Sequence, residues 1–509
     1  MNDVASSVRR NAFLRKPLGQ VQLESETHEF SRSLGPVNLV LLGIGCIIGS
    51  GIFVLTGNAA ANFAGPAVLL SFIVAGLACG FAGLCYAELA STMPVAGSAY
   101  TYAYATLGEV CAWTAGWLMV LEYGIATSLV AVGFSGYFTS LLHDFGILIP
   151  SQFATPYINS IATPHGLMFT AGHGVNLVAA AGVLCITALL LFGVALSAAV
   201  NSVMVAMKVT VLLVFVAVGA WWVDPQNWTP FVPPNEGGFA YGWSGMIRAA
   251  SVIFFAYVGF ETVSTAGLES RQPRRDLPIG ILGALVVCTV IYLAVAAVLT
   301  GLVPFRQLGV PDPLALAANT IGLPWFALII KLGATLGLLS VMITTLYGQT
   351  RVFYAMSRDG LLPGAFSQLS RRWRTPYLGT AIVGVVVALA AALLPISILS
   401  DIVSLGVAFS FIIVCLSVMW LRSTQPAMHR PFRVPLGGLW VGRAWIGTIP
   451  GLGILFCILM VLPLIMDIAG KALRGNSIPA LLLGGYCTLG AAFYLGYGRR
   501  HSRLRGAQS

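Results

Sequence analysis

The 509-residue chain is 58% apolar and only 9% charged, against about 25% charge in a soluble domain, which excludes a soluble globular enzyme and identifies a polytopic membrane protein. A net charge of +10 invites nucleic acid as a partner, but where the basic residues fall assigns them to membrane orientation instead. The nine cysteines lie in or at the edge of apolar segments, without the spacing of a disulfide framework or a metal site.

Residues 1-35 are polar and carry Arg9, Arg10, Arg15, Lys16 and Arg32 with no apolar core leading to a cleavage site. They read as a cytoplasmic tail, not a signal peptide. Apolar stretches of the roughly 20 residues needed to span a bilayer follow at 37-62, 66-91, 108-139, 174-194, 199-222, 243-267, 279-302, 324-350, 377-395, 400-421, 448-467 and 478-497. An even number of spans puts both termini on one side. Alternating the sides collects most of the 27 basic residues in the tails and in the loops holding Arg271 to Arg275, Arg351 to Arg374 and Arg422 to Arg443, while the opposite side keeps only Arg306, Lys471 and Arg474. The positive-inside rule then fixes both termini, including the tail 498-509, in the cytoplasm of a cell (inner or plasma) membrane.

The first span holds Gly43, Gly45, Gly49, Gly51 and Gly57, each about 1 kcal/mol unfavourable in a helix interior. Such density predicts a break at Gly49-Ser50-Gly51, which hydrocarbon tolerates only where the freed backbone groups are buried in protein or line a wet cavity. The half-helix restarting after Ser50 aims N-H groups and a positive dipole end at the gap, which suits a carboxylate; close helix packing through small residues is the other use of these glycines. A second break is expected five spans later, at Phe254-Phe255-Ala256-Tyr257-Val258-Gly259-Phe260-Glu261. Interruptions at matching positions of two halves point to inverted repeats with substrate at their interface. The fold expected is therefore an all-α membrane protein of twelve helices: a first repeat at 36-222, a second at 243-421, broken helices 1 and 6, and two further helices at 448-497.

At these residues the chain resembles the amino acid-polyamine-organocation superfamily, and within it the cationic amino acid transporter family and its bacterial relatives. The resemblance rests on Gly49 to Phe53, Pro94 to Tyr100, Phe254 to Glu261, Gly348 to Arg351 with Ala355 to Pro363, and Arg430-Pro431-Phe432-Arg433-Val434-Pro435. It implies the leucine-transporter fold and alternating access. It further implies that substrate carboxylate meets Gly49, Ser50 and Gly51, that its ammonium meets carbonyls at Ile47, Phe255 and Val258 with Ala256 beside them, and that Phe255 is an aromatic gate. Lys208 in span five, placed beside broken helix 1 by the same resemblance, carries the coupling proton or acts as a structural clamp.

An ion at the bilayer centre costs about 2.5 to 3.5 kcal/mol, so each needs a partner or a task. Glu122, well inside span three, is expected to line the substrate site or to serve as a structural partner. Glu88 reads as structural, and Glu261 as a support for unwound backbone donors. Arg248 and Lys331 are expected to snorkel from span ends, and Asp401 to cap span ten. Span eight is expected to line the side-chain pocket with Leu338, Leu339, Ser340, Val341 and Met342. The histidines fall in loops or tails, and no phosphate-cradling loop is present. The function expected is proton-coupled amino acid import, with exchange as the alternative and a sensor or channel as a remote one. An amino acid and the lipid bilayer are the expected partners, without nucleic acid, metal or a cofactor other than the proton.

Overall fold

The computed structural model describes residues 14–17, 34–95, 97–163, 166–193, 198–370 and 375–508. The rest of the tail 1-35, including Arg9, Arg10 and Arg32, and the loop arginines Arg371, Arg372 and Arg374 lie outside the described residues. The protein is mostly helical. Among the described residues nine helices are long and apolar enough to cross a membrane; the shorter apolar helix Pro36–Ile47 precedes them, and Leu177–Leu191 and Tyr377–Leu393 lie between them.

In chain order, α1 is Pro36–Ile47, followed after a bend by a helical run over 51–64 with wide π turns at Gly51–Leu55 and Ala60–Ala64. Gly65, at φ +59°, turns the chain into α2, Val68–Thr92; a Cβ there would sit 2.6 Å from Pro233. A short helix α3, Ser98–Thr106, leads to α4, Glu109–Asp144, which carries its own π turn at Val120–Ile125. The hairpin of β1, Ile158–Thr163, and β2, Gly166–Ala171, is antiparallel. Then come α5, Leu177–Leu191, and α6, Ala198–Gly219.

The second half runs through α7, Gly242–Ile253, α8, Pro273–Leu302, the short α9, Pro313–Thr320, and α10, Pro324–Arg358. It continues with α11, Tyr377–Leu393, and α12, Ile396–Thr424. A second antiparallel hairpin, β3 (Gly438–Val441) with β4 (Ala444–Gly447), joins α12 to α13, Thr448–Leu473, and α14, Ile478–Phe493, follows. The helix α10 outruns its apolar stretch because the polar turns from Arg351 to Arg358 continue it.

Helices far apart in sequence pack together: α8 along α1 and α2, α10 along α4, and α11 along α5. Small residues set these distances. A Cβ at Gly43 would lie 2.5 Å from Ala284, and one at Gly333 would lie 2.3 Å from Val211.

Three charged residues depart from the sequence expectation. Arg248 does not snorkel; it is buried on α7, with Nη2 at 2.8 and 2.7 Å from the two oxygens of Asp401 and 3.1 Å from Asp467. Asp401 is consequently no cap but lies inside α12, one turn past its start, as the counter-ion of that guanidinium. Lys331 is buried too, 2.6 Å from Asp144. Each long cationic stem found a carboxylate on another helix, so neither needs to reach water. Glu88 sits between Arg422, whose Nε donates to it at 2.8 Å, and the Val434 N-H.

The end of the chain is docked. Glu109, fully buried at the start of α4, accepts from Tyr494 at 3.0 Å, Ser502 at 2.5 Å and Arg505 at 2.8 Å. Arg503 N-H donates to the Asp359 carbonyl, and Gly360, at φ +81°, leaves no room for a side chain beside the His501 carbonyl.

Candidate functional site

The first interruption falls where the glycines predict it. The last α1 residue with a regular turn is Ile47; Ile48 is extended (φ −71°, ψ 101°), and helical geometry resumes at Ser50. The second lies after a 3-10 turn at Phe254–Tyr257: Val258 is extended and Gly259 takes φ +124°, a conformation that favours glycine, with Cys46 of α1 so close that a Cβ would come within 2.6 Å of its backbone. The two interruptions are therefore pressed against each other.

Between them is a cavity lined by Cys46, Ile47, Gly49, Ser50 and Gly51 from the first break, Phe255, Val258, Gly259, Glu261 and Thr262 from the second, Glu122, Tyr123 and Ala126 from α4, and Val341, Thr344 and Thr345 from α10. It thus brings together Ile47, Gly49, Ser50, Gly51, Glu122, Phe255, Val258 and Glu261. Ala256 is not in the lining: its Cα would lie 2.3 Å from a Cβ on Gly51. The glycine at 51 thus serves the close crossing of the two broken helices, in addition to any approach of a ligand. Lys208 also stands outside the cavity, behind the first break, where its buried Nζ donates to Gly45 O at 2.9 Å and Ile48 O at 3.2 Å.

No basic side chain lines the cavity. The Ser50 hydroxyl, both carboxyl oxygens of Glu122 and one of Glu261 have no hydrogen-bond partner among the described residues. The other Glu261 oxygen accepts from the Gly259 N-H at 2.8 Å, so this carboxylate holds a backbone donor that the unwinding frees. Unpartnered buried polar atoms are the exception in folded proteins; of the sixteen among the described residues, four belong to side chains that line this one cavity.

Two features escape the sequence reading. Tyr292 of α8 stands between the breaks, its hydroxyl 2.8 Å from the Ile47 carbonyl and 3.0 Å from that of Ala256. A lone tyrosine in the run Val290-Ile291-Tyr292-Leu293 is a signal in itself, because a buried phenol needs a partner. The other is the register of α10. Of the residues Leu338 to Met342 only Val341 faces the cavity, and the next turn supplies Thr344 and Thr345, at the helical spacing of three and four residues. Thr345 shares a 2.8 Å hydrogen bond with Thr127 of α4, so this wall is more polar than the segment 338–342 suggests.

Comparison with known proteins gives this geometry a setting. A family model described as amino acid permease matches residues 34–487. The chain is 43% identical to the branched-chain amino acid permease BcaP of Bacillus subtilis (strain 168), over 93% of this chain and 94% of that protein. It is also 43% identical to the methylthioribose transporter of the same organism, over 83% and 88%. The cationic amino acid transporter 4, vacuolar, of Arabidopsis thaliana is 36% identical, over 81% of this chain and 67% of its own. With a matching model over most of its length and relatives similar nearly end to end, the chain belongs to the amino acid permease family of the amino acid-polyamine-organocation superfamily, whose members are multi-pass membrane transporters.

Proposed function

We propose that the protein imports a neutral amino acid together with a proton by alternating access. The observation that carries this reading is the convergence of two interrupted helices on one cavity whose Ser50 and Glu122 side chains lack partners. An amino acid offers the complementary groups: a carboxylate for Gly49, Ser50 and Gly51 at the start of the run 51–64, and an ammonium for carbonyls at the second break. The Ile47 carbonyl accepts from Tyr292 and that of Phe255 from the Val258 N-H, but each keeps a second lone pair for the ammonium. Phe255 acts as the gate over the bound substrate, excluding water.

The same reading takes 36-222 and 243-421 as inverted repeats of five helices, with 448-497 as two further spans and the tails 1-35 and 498-509 in the cytoplasm. Support comes from the packing: α2 against α8, α4 against α10 and α5 against α11 are pairs in corresponding places of the two halves. Lys208 takes the coupling role. Protonated, it ties α6 to the carbonyls of Gly45 and Ile48 by charge-assisted hydrogen bonds; deprotonated, it holds them more weakly, so its proton biases the position of broken helix 1.

Substrate preference rests on Val341 and Ala126 in the lining and on the likeness to a branched-chain permease. A second reading, a cationic amino acid, is favoured by the free oxygens of Glu122 and Glu261. Purified protein in proteoliposomes decides among these. Leucine is expected to accumulate under an imposed proton gradient and to show counterflow; one net charge moved through about 100 mV is worth roughly 2.3 kcal/mol, or about fifty-fold accumulation. Leucine movement only against internal amino acid would establish exchange in place of symport, absence of counterflow would indicate a channel, and accumulation of lysine but not leucine would establish the second reading.

A further inference from the structure

The hairpin β3–β4 has one face with nothing under it. Its register pairs Leu439 with Ile446 and Val441 with Ala444, and side chains of paired residues share a face of the sheet. Leu439 is 77% exposed, Val441 61%, Ile446 47% and the adjoining Leu436 73%. The opposite face carries Trp445, which is buried: its N-H donates to Ser423 Oγ at 2.7 Å and the Arg422 guanidinium lies 4.3 Å from its ring centroid. Thr448 N-H further ties the start of α13 to the Gly437 carbonyl. The hairpin is thus a fixed platform with its apolar face turned outward.

Two observations say what covers that face. The first is place. The strand β4 runs directly into α13, whose first cap is Gly447, and the outer side of α13 is itself a row of exposed apolar residues, Leu455, Ile458, Leu462 and Ile465. The hairpin thus adjoins, through Gly447, the point at which this candidate spanning helix begins. The second is charge. Arg443 at the hairpin turn and Arg433 before it are exposed, and no Asp or Glu occurs between Asp401 and Asp467.

We propose that residues 436–447 form an interfacial anchor that binds an anionic phospholipid surface. Leu436, Leu439, Val441 and Ile446 enter the boundary between headgroups and acyl chains, and Arg433 and Arg443 hold lipid phosphates. Because Arg422 bridges the hairpin to Glu88 of α2, the anchor fixes the ends of α12 and α2 at a set depth.

The test uses the full chain with Leu439→Cys in a Cys185→Ser/Cys487→Ser background, spin-labelled and reconstituted in nanodiscs of phosphatidylethanolamine with phosphatidylglycerol, and in nanodiscs of phosphatidylcholine alone. The expected result is that the label collides with lipid-soluble oxygen more often than with a water-soluble nickel chelate, by severalfold. A second measurement compares melting temperatures in the two lipids: phosphatidylglycerol raises that of the parent protein, and Arg433→Gln/Arg443→Gln loses at least half of the rise. Free inorganic phosphate added to phosphatidylcholine discs does not restore it. A label open to the nickel chelate in both lipids would overturn the anchor, as would one shielded from both reagents, which would mean that protein covers the face. An unchanged lipid dependence in the double arginine variant would overturn the assignment of the arginines.

Discussion

Two sets of ionisable side chains lie in or against the same apolar body and end in opposite states. Arg248 with Asp401 and Asp467, Lys331 with Asp144, and Glu88 with Arg422 are all paired. Glu122 and Glu261, at the cavity, have no cation in the cavity lining, and three of their four oxygens lack a hydrogen-bond partner among the described residues. The first set joins helices that are distant in sequence and gives each charge an opposite charge within the fold, although Arg248 Nη1 is left without a partner among the described residues; the second has no such counter-charge in the cavity lining. The difference separates charges that hold the fold from charges held in readiness, although both kinds look alike in the sequence as single ionisable residues within apolar runs.

The comparison is broken most readily at its paired side. Arg248→Leu leaves Asp401 and part of Asp467 buried without a counter-ion, and removing one partner of a buried pair costs about 3–5 kcal/mol. The expected outcome is the largest fall in melting temperature and yield among single charge removals, read by thermal unfolding in detergent. Glu122→Gln, which strands no partner, should leave the melting temperature unchanged or raised. An equal fall for both variants would abolish the distinction.

A smaller effect is expected at Lys208, which touches the first break without entering the cavity. Lys208→Met should retain substrate binding and lose the proton-driven part of accumulation, up to the roughly 2.3 kcal/mol available from about 100 mV. Binding by calorimetry and uptake across external pH check this together; uptake that still rises normally as pH falls would remove Lys208 from coupling. Next comes Tyr292→Phe, which leaves the carbonyls of Ile47 and Ala256 without their donor at a cost of about 1–3 kcal/mol. Uptake should fall more than yield, because both carbonyls belong to the two interrupted segments.

The smallest effect lies outside the spans. Burial pushes the Asp312 carboxyl, at the start of α9, up from 3.8 to about 6, against the lowering effects of Ser140 and Lys331 and with Asp144 adding to the rise. A raised folded value means the native state keeps a proton that the unfolded chain has lost, so stability falls as pH rises from 3.8 to about 6 and the loss is complete above that. Asp312→Asn should flatten the melting temperature across this window; an unchanged slope would assign it to another group.

The helix interruptions were readable because glycine is costly in a helix and its clustering is a local signal. The apolar helices were readable too, since a run of about twenty apolar residues needs no tertiary information; nine of them are long enough to cross a membrane among the described residues. The partners were not. Arg248 and Asp401 are separated by 153 positions, and nothing local says that their helices cross; the expectation of a snorkelling arginine and a capping aspartate is what each residue would do alone. The α10 lining was missed by one turn, since the rotation of a helix about its axis is set by neighbours and α10 is apolar almost all round. The hydroxyl of Tyr292 was visible as a polar group in need of a partner, but its bridging position between two breaks depends on the packing of α8 against both.

The docking of Glu109 bears on how the protein is made. Its partner Arg505 lies 396 residues later, so at about 5–20 residues per second the carboxylate waits roughly 20–80 s on the ribosome before its counter-ion emerges. During that interval α4 begins with a charge that the finished fold buries completely.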